Sequence, residues 1–339
     1  MTNGSTSSLM ALPTKSGAYT FAAIFALESF VRSLNAAVLS LQGFDILGSS
    51  QKVSVLNTSV AFAVLATTLL LPYVLGPLRR RWAYSLGAVL MLGAALALAS
   101  HTLVGQAMGV FLRSCGASIF NITLSLYILD HIKRQNLAHA EPLRLSLSTF
   151  SWMSGPVLGV WLYTGYGPWG PQIAVMLSLV ILMAVFWYLR LSDKPILTPG
   201  TLQPFNPLAN VKRFVIQPRL RLAWLIAFGR SCFWTTFFLY GPLLIVESGL
   251  AKNVGGLVIS ASQALLVTAW LSGYFARRLG VRKVIAAAFF LSAAATAGAG
   301  LAGTHFPYVA IALLLVASVA AAALDGGGRH SFPARRASA

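Results

Sequence analysis

The sequence predicts an all-α membrane protein with about ten transmembrane helices, arranged as two pseudo-repeated halves of six and four helices. Composition is the first of three observations that support this prediction. Of the 339 residues, 57% are hydrophobic and only 9% are charged, and the mean hydropathy is +0.75. A soluble domain carries roughly 25% charged residues. This chain therefore has too few charges to solvate an ordinary protein surface, and we expect an integral membrane protein.

The second observation is a series of ten apolar stretches. At about 1.5 Å rise per residue, a helix needs roughly 20 apolar residues to cross the hydrocarbon layer. The stretches that meet this length are 17–42, 53–75, 83–101, 103–130, 144–164, 171–191, 219–246, 254–276, 284–303 and 306–324. Little more than His101 and Thr102 separates the third stretch from the fourth, which predicts a tight helical hairpin.

The third observation is the placement of the basic residues. The net charge of +18 would suit a nucleic-acid-binding protein if the Lys and Arg side chains shared one soluble face. Instead they form short clusters after the second, fourth, sixth and eighth stretches, whereas the alternate connections carry only Lys52 and Lys252. Cytoplasmic loops of membrane proteins are enriched in Lys and Arg. Both termini are therefore predicted to be cytoplasmic, in a multi-pass protein of a bacterial-type inner (plasma) membrane.

These patterns divide the chain into five segments. They are a cytoplasmic tail (1–16), a six-helix half (17–191), a cytoplasmic linker (192–218), a four-helix half (219–324) and an irregular tail (325–339). A short interfacial helix is expected in the linker at 206–214. The last segment, rich in Gly, Arg, Pro, Ser and Ala, is interpreted as an out-of-frame or truncated end, with a natural ten-helix protein as the alternative.

An internal repeat relates the two halves. The sequence FVRS at 30–33 matches FGRS at 228–231, an offset of 198 residues. At the same offset, Arg79 and Arg80 coincide with Arg277 and Arg278 in the basic turn after the second span of each half. Parallel halves of this kind are one known plan of transporters, with the substrate site near the bilayer midplane between the halves.

Three short motifs carry a family resemblance. GYFARRLGVRK at 273–283 resembles the loop signature of the major facilitator superfamily, with Arg277 at the position of its acidic residue; GPLRRRW, which begins at Gly76, is a more degenerate copy. SGPVLGVWL resembles the Gly-Pro-x-x-Gly element of the family's antiporters, and FLRSCG is similar to its intramembrane Arg-and-Gly motif with one residue fewer in the spacing. The matching residues are Gly273, Arg278, Gly280, Arg282 and Lys283, then Gly155, Pro156 and Gly159, then Arg113 and Gly116.

The resemblance covers residues 17–324 and implies an antiporter-like member that lacks the last two helices of the family plan. It implies a secondary active transporter that works by alternating access, and the span-five element favours proton-coupled efflux over uptake. The expected partners are a small-molecule substrate, protons as coupling ion and the lipid bilayer, for a monomer without cofactor, metal or nucleic acid. The implied cytoplasmic gating residues are Gly76, Arg79, Arg80, Gly273, Arg277, Arg278, Gly280 and Arg282; the implied helix-packing residues are Gly155, Pro156 and Gly159.

Charged residues inside the apolar stretches identify the candidate cavity. A charge at the bilayer centre costs about 2.5–3.5 kcal/mol on insertion scales, so such residues usually face a protein interior or an aqueous cavity. Glu28 and Arg32 lie one helical turn apart on span one and can pair. Glu28 is either a proton-carrying site, biased by Arg32, or one half of a structural pair that never titrates. Both interpretations stay open at the level of sequence.

The remaining candidates for this cavity are polar or aromatic residues on other spans. With one acid and three arginines inside the spans, the cavity has a net positive charge, which favours a carboxylate-bearing substrate. Arg113 and Arg230 can equally pair with Glu28 or with helix carbonyls. The amides are either cavity liners or links between helices, and Trp234 is either a stacking platform or a packing residue. The full candidate set is Glu28, Arg32, Asn35, Arg113, Asn121, Arg230, Trp234 and Gln263.

Other function classes find little support in the sequence. It contains no Gly-x-Ser-x-Gly, no His-Glu-x-x-His and no phosphate-binding Gly-x-x-x-x-Gly-Lys motif, so we predict that the chain is not an enzyme. Two alternatives to proton-coupled export remain. One is an uptake symporter of the same fold, and the other is a truncated fragment or helix bundle without transport activity.

Overall fold

The computed structural model describes residues 14–131, 137–189, 215–268, 274–275 and 277–327. Wherever the whole connection between two helices is described, it is a short turn. In chain order they are α1 (Thr14–Ser33), α2 (Val38–Leu47), α3 (Ser50–Leu75), α4 (Arg80–Ala99), α5 (Leu103–His131), α6 (Leu137–Tyr166), α7 (Trp169–Tyr188), α8 (Pro218–Glu247), α9 (Lys252–Leu265, extended by the 3-10 turn Leu266–Thr268), α10 (Val281–Ala302) and α11 (Pro307–Gly327).

Each of the ten predicted stretches overlaps a described helix, although residues 269–273 and 276 of the eighth stretch lie outside the described residues. Within the described ranges, seven segments are long and apolar enough to cross a membrane, and α11 contributes a shorter apolar helix at Pro307–Ala323. The seven are Tyr19–Leu47, Ser50–Leu71, Arg80–Ala99, Leu103–Ile128, Trp169–Tyr188, Leu220–Glu247 and Val281–Ala302. The count of ten spans, their six-plus-four division and the cytoplasmic termini stay predictions. The expected helix at 206–214 and residues 328–339 lie outside the described residues.

The first predicted span is interrupted, a feature that its apolar pattern does not reveal. Residues 34–37 form a turn between α1 and α2, with the Ala36 backbone N–H donating to the Ser33 carbonyl at 2.9 Å. Helix α6 approaches closely at this point, because a Cβ added to Gly159 would lie 1.8 Å from the Leu34 carbonyl oxygen. Only glycine allows backbones to come this near to each other.

Side-chain hydrogen bonds also join α1 and α6, at residues that precede this contact in both helices. Ser33 Oγ donates to the Ser151 carbonyl at 2.8 Å, and Ser151 Oγ donates to the Ala26 carbonyl at 2.7 Å. A Cβ added to Gly155 would lie 1.9 Å from Ser33 Oγ. In a membrane, small residues and short hydroxyl side chains supply much of the attraction between helices. The two helices therefore form one tightly packed unit.

An aromatic core lies between α4, α5 and α7. The rings of Tyr84 and Phe186 stack with centroids 4.2 Å apart, and Tyr84 also lies 4.6 Å from Phe120. Tyr127 meets Phe186 edge-on at 5.9 Å. All four side chains are buried. This core fixes the helices that carry the polar residues described below.

The helix bounds follow the repeat that the sequence suggests. Subtracting 198 moves α8 onto residues 20–49, the region of α1 and α2, and moves α10 onto 83–104, the region of α4. It also moves α11 onto 109–129, inside α5. The halves meet where α6 packs on α9. There the backbone N–H of Val157, next to Pro156, donates to Ser260 Oγ at 3.3 Å.

Candidate functional site

A buried ion pair on α1 forms the centre of the candidate site. Arg32 Nη1 lies 3.0 Å from Glu28 Oε1, one helical turn away, as the spacing of the two residues predicts. The Glu28 side chain is fully buried, whereas that of Arg32 is 19% exposed. The same Nη1 also reaches Oδ1 of Asn121 on α5 at 3.4 Å. One guanidinium thus serves a carboxylate and an amide at once.

Arg113 holds the end of α1 from the neighbouring helix α5. Its Nη2 donates to the backbone carbonyl of Arg32 at 2.9 Å. The last carbonyls of a helix have no intrahelical partner, and a cation near them is stabilising. Because α1 ends at Ser33, Arg113 supplies both the donor and the charge. Of the roles open in the sequence, the structure shows Arg113 bound to a helix carbonyl.

Asn35 lies in the turn between α1 and α2 and pairs with Gln172 of α7. Each amide nitrogen donates to the other's oxygen at 3.1 Å, and both side chains are buried. Asn35 and Arg113 line a small cavity of about 10 Å³, close to the minimum for one water molecule. Gln172 was not among the residues predicted from the sequence. Like Asn35, it is an amide inside an apolar stretch, so the signal that identified Asn35 could also have identified Gln172.

The structure thus brings five predicted residues together in the first half and places three others elsewhere. The five are Glu28, Arg32, Asn35, Arg113 and Asn121. Arg230 and Trp234 lie on α8 and Gln263 on α9. Trp234 belongs to an aromatic cluster, 5.3 Å from Phe233 and 5.8 Å from Phe238 between ring centroids. Gln263 is buried, and its Nε2 lies 3.5 Å from Ser262 Oγ.

The predicted gating residues of the first half lie where α3 meets α4, at the end of the bundle that we call the basic end. Arg79 is exposed, but Arg80 is buried and its guanidinium lies 6.0 Å from the centroid of the Tyr127 ring. Gly76 lies in the turn after α3, and Gly280 precedes α10 with φ +88° in the left-handed region. Arg277, Arg278 and Arg282 are exposed. Gly273 lies outside the described residues.

At the opposite end of the bundle the two halves are joined by an ion pair that sequence reasoning missed. Lys252 Nζ of α9 lies 2.7 and 2.6 Å from the two carboxylate oxygens of Asp45 on α2. The Tyr163 hydroxyl of α6 donates to the same carboxylate at 2.6 Å. Ser50 also donates to Glu247 across the halves. The sequence could have indicated this pair, because Asp45 and Lys252 are two of the few charged residues in the connections after the first and seventh predicted stretches.

Comparison with known proteins gives a consistent result. The family model described as Major Facilitator Superfamily matches residues 21–334. The nucleoside transporter NupG has 14% sequence identity and a TM-score of 0.62, covering 92% of this chain and 80% of its own. A D-xylose-proton symporter has 12% identity and a TM-score of 0.60, and the match covers 90% of this chain and 80% of the symporter chain.

Two further solved structures show the same arrangement of helices. A POT family transporter in complex with 5-aminolevulinic acid has 11% identity and a TM-score of 0.60, covering 94% of this chain and 92% of its own. A bacterial homologue of the iron transporter ferroportin, in its outward-facing state, has 16% identity and a TM-score of 0.60, covering 93% and 85%. A search of curated proteins finds no significant match. At these identities the likeness shows a shared fold.

Proposed function

This chain belongs to the Major Facilitator Superfamily and is a membrane transporter rather than an enzyme, and we propose that it exports a small solute in exchange for protons. The observation that carries the proposal is the fully buried carboxylate of Glu28, held by Arg32. An ionisable side chain inside a membrane protein usually marks an ion or substrate pathway. We place this exchange in the cytoplasmic membrane, by alternating access between the two halves.

Glu28 is suited to carry a proton because its bonding is incomplete. Its Oε1 accepts from Arg32, but its Oε2 has no hydrogen-bond partner among the described residues. A carboxylate with one unoccupied oxygen is ready to bind either a proton or a cationic group of a solute. Competition between proton and solute for one carboxylate is the simplest physical basis for exchange.

The two arginines of the first-half cluster favour a solute that also carries a carboxylate. Arg32 and Arg113 bring two positive charges to this cluster, and Glu28 brings one negative charge. Arg32 is the partly exposed member of the pair, so its guanidinium is the group that a carboxylate would reach first. Under exchange the solute is therefore a zwitterion, with its ammonium at Glu28 and its carboxylate at Arg32.

A second candidate, proton-coupled uptake, is favoured by the shared guanidinium. Arg32 Nη1 already bonds both Glu28 and Asn121. Protonation of Glu28 would release this guanidinium for the carboxylate of a purely anionic solute. Proton and solute would then bind together, which is the requirement for symport. The two candidates therefore predict opposite effects: proton binding weakens solute binding in exchange and strengthens it in symport.

Transport by purified protein in liposomes tests both candidates. Vesicles are loaded with a pH-sensitive dye, and 5-aminolevulinic acid, a zwitterion, is compared with D-xylose, a neutral sugar. Exchange predicts that the zwitterion drives proton movement opposite to its own and that Glu28→Gln, which mimics the protonated side chain, weakens solute binding at least tenfold. Symport predicts movement in the same direction and binding that is retained in Glu28→Gln.

A matched control is available at Glu247, which accepts a hydrogen bond from Ser50 at the opposite end of the bundle. Glu247→Gln makes the same chemical change and keeps an oxygen acceptor, so proton coupling should stay at the wild-type rate. Zwitterion flux coupled to protons in Glu28→Gln would reject Glu28 as the proton site. Absence of gradient-driven flux of 5-aminolevulinic acid in the wild type would reject both candidates for this solute.

A further inference from the structure

Two exposed aromatic pairs, one near each end of the bundle, have the same geometry. At the basic end, the rings of Trp82 on α4 and Trp187 on α7 meet edge-on with centroids 6.0 Å apart. At the opposite end, the rings of Trp161 and Tyr166 on α6 also meet edge-on at 6.0 Å. All four side chains are exposed. Tryptophan and tyrosine are typical of the membrane–water interface, where the ring contacts lipid and its polar atom reaches the headgroups.

The two pairs differ in the charge of their surroundings. Trp82 lies three residues after the exposed Arg79 and directly after Arg81, which is partly buried. The preceding sequence GPLRRR contains no acidic residue. Tyr166 is followed by the uncharged sequence GPWGP. A guanidinium has five N–H donors and binds phosphate well, so either arginine can bind a phosphate in addition to other partners.

An apolar stripe leads from each tryptophan along the outer face of its helix. Residues seven positions apart lie nearly two turns apart on an α-helix, so they share a face. Each stripe consists of three such residues, all of them exposed; they are Trp82, Val89 and Leu96 on α4 and Trp187, Val180 and Ile173 on α7. Both helices are long and apolar enough to span a membrane, so the stripes are suited to contact with lipid acyl chains.

The two stripes lie side by side because α4 and α7 pack against each other. Beneath the tryptophan pair, Tyr84 of α4 stacks on Phe186 of α7 with centroids 4.2 Å apart. Further from the basic end, Met91 of α4 and Val175 of α7 line the same small cavity. Each stripe rises about 21 Å from its first residue to its last at 1.5 Å per residue, which exceeds one leaflet of a hydrocarbon layer about 30 Å thick. An acyl chain of that leaflet therefore has apolar surface along its whole length.

We propose that the surface shared by α4 and α7 at the basic end binds an anionic phospholipid. The phosphate of the headgroup binds at Arg79 and Arg81, the indole N–H groups of Trp82 and Trp187 donate to its ester oxygens, and an acyl chain lies along the two stripes. The arginines favour an anionic over a zwitterionic lipid, as basic clusters next to membrane helices generally do. A lipid is favoured over a soluble phosphate compound because the stripes extend far beyond the charged groups. This site is independent of the role proposed for Glu28.

Each component of the site also occurs alone elsewhere in the molecule. At the offset of 198 residues, Arg79 corresponds to Arg277, which is exposed, but Trp82 corresponds to Gly280. Arg277 therefore presents the charge without the tryptophan. The pair formed by Trp161 presents the aromatic rings beside an uncharged connection. Arg277→Gln and Trp161→Leu are accordingly the matched controls for Arg79→Gln and Trp82→Leu.

Thermal unfolding of the full chain in a neutral detergent tests the site. Phosphatidylglycerol, which is anionic, and phosphatidylcholine, which is zwitterionic, are added at equal concentrations. Phosphatidylglycerol should raise the melting temperature more, because a ligand that binds the folded state stabilises it. Trp82→Leu and Arg79→Gln should each reduce this difference at least twofold, whereas Arg277→Gln and Trp161→Leu should keep it at the wild-type value. Comparing two lipids on one variant removes any change in stability that the substitution causes by itself.

Equal effects of the two lipids on the wild type would overturn the proposal, as would an undiminished effect of phosphatidylglycerol in Trp82→Leu or Arg79→Gln. A twofold loss in Arg277→Gln or Trp161→Leu as well would overturn it in favour of a general attraction to lipid. If inorganic phosphate alone raises the melting temperature as much as phosphatidylglycerol does, the ligand is a soluble phosphate compound and the lipid assignment is wrong. Trp187→Leu removes the other ring of the pair and carries the same prediction, so it replaces Trp82→Leu if that variant does not fold.

Discussion

The motif FVRS at 30–33 and its repeat FGRS at 228–231 have nearly the same residues and different surroundings. Ser33 is fully buried, and the single proton of its hydroxyl is shared between two carbonyl oxygens, those of Phe30 and Ser151. Its counterpart Ser231 is exposed, and the Phe228 side chain is 52% exposed. Both copies lie in long helical segments. The motif therefore specifies a helix but does not specify its burial.

The difference comes from the helix that covers the motif. In the first half, α6 brings Gly155 and Gly159 against the end of α1, so closely that a Cβ would meet Ser33 or Leu34 within 2 Å. At the offset of 198 the counterpart of α6 would begin at residue 335, outside the described residues. None of the helices within the described ranges covers Ser231. A charged or polar residue on a membrane helix is thus buried by the small residues of its neighbour.

The largest expected contrast in stability is between the two arginines of the repeat. Arg32→Gln leaves the buried Glu28 carboxylate without its cation, which should cost about 3 kcal/mol or more. At the equivalent position of α8, Arg230→Gln does not create this particular penalty, because the position equivalent to Glu28 is Ile226 and no carboxylate is left without a cation there. Thermal unfolding of purified protein in detergent measures both changes.

The double variant Glu28→Gln/Arg32→Gln sharpens this contrast. Removing both charges replaces an unpaired buried ion with two neutral amides, so most of the stability lost in Arg32→Gln should return. A double variant no more stable than Arg32→Gln would show that Arg32 stabilises the fold through contacts other than Glu28.

A methyl group at the contact between α1 and α6 should have the next largest effect. In Gly159→Ala the new Cβ would lie 1.8 Å from the Leu34 carbonyl oxygen, and backbone atoms relieve such overlap only by moving. We expect a loss of about 3 kcal/mol, seen as a lower melting temperature. Gly165→Ala in the same helix, with nothing within 4 Å of the added Cβ, is the matched control and should be neutral or slightly stabilising.

The two serines of the repeat give the most direct contrast, with a smaller magnitude. Ser33→Ala removes the donor to the Ser151 carbonyl inside the packed first half and should cost about 1 kcal/mol. Ser231→Ala removes an exposed hydroxyl and should leave the melting temperature unchanged. Equal losses in the two variants would contradict the argument that α6 makes the difference.

The smallest effect on stability is expected at the ion pair that joins the halves. The side chains of Lys252 and Asp45 are 34% and 25% exposed, and a pair so accessible to water contributes about 1 kcal/mol or less. Lys252→Gln should therefore fold normally. It should also open this end of the bundle more often. In a Cys232→Ser background, which removes an exposed native thiol, a cysteine introduced at Ser40, which is buried and contacts the Phe238 carbonyl of α8, should then react faster with a membrane-impermeant maleimide.

The pattern of apolar residues could locate the helices because it depends on each helix alone. It also placed Glu28 four residues before Arg32, and helix geometry makes their contact certain once the helix forms. The turn at 34–37, the Asn35–Gln172 pair and the position of Tyr84 depend on which helices become neighbours. With a single sequence, nothing indicated that α7 faces α1 or that Tyr84 of α4 stacks on Phe186 of α7.

The two basic turns also show what cannot be predicted from a single sequence. Clusters of arginine indicated both turns, but Arg80 is buried against Tyr127 whereas Arg277 is exposed. Charge patterns report which side of the membrane a connection occupies. They do not report whether a particular arginine folds back onto the bundle, because that depends on a partner such as the Tyr127 ring.

The measurement that tests the account most directly compares proton movement with solute exchange in Glu28→Gln. Both are recorded in the same liposomes with 5-aminolevulinic acid as the probe, and Glu247→Gln serves as control. The account predicts proton-coupled flux in the wild type and in Glu247→Gln, and a loss of at least tenfold in Glu28→Gln. Wild-type proton coupling in Glu28→Gln would contradict the assignment of the coupling site to the ion pair of α1.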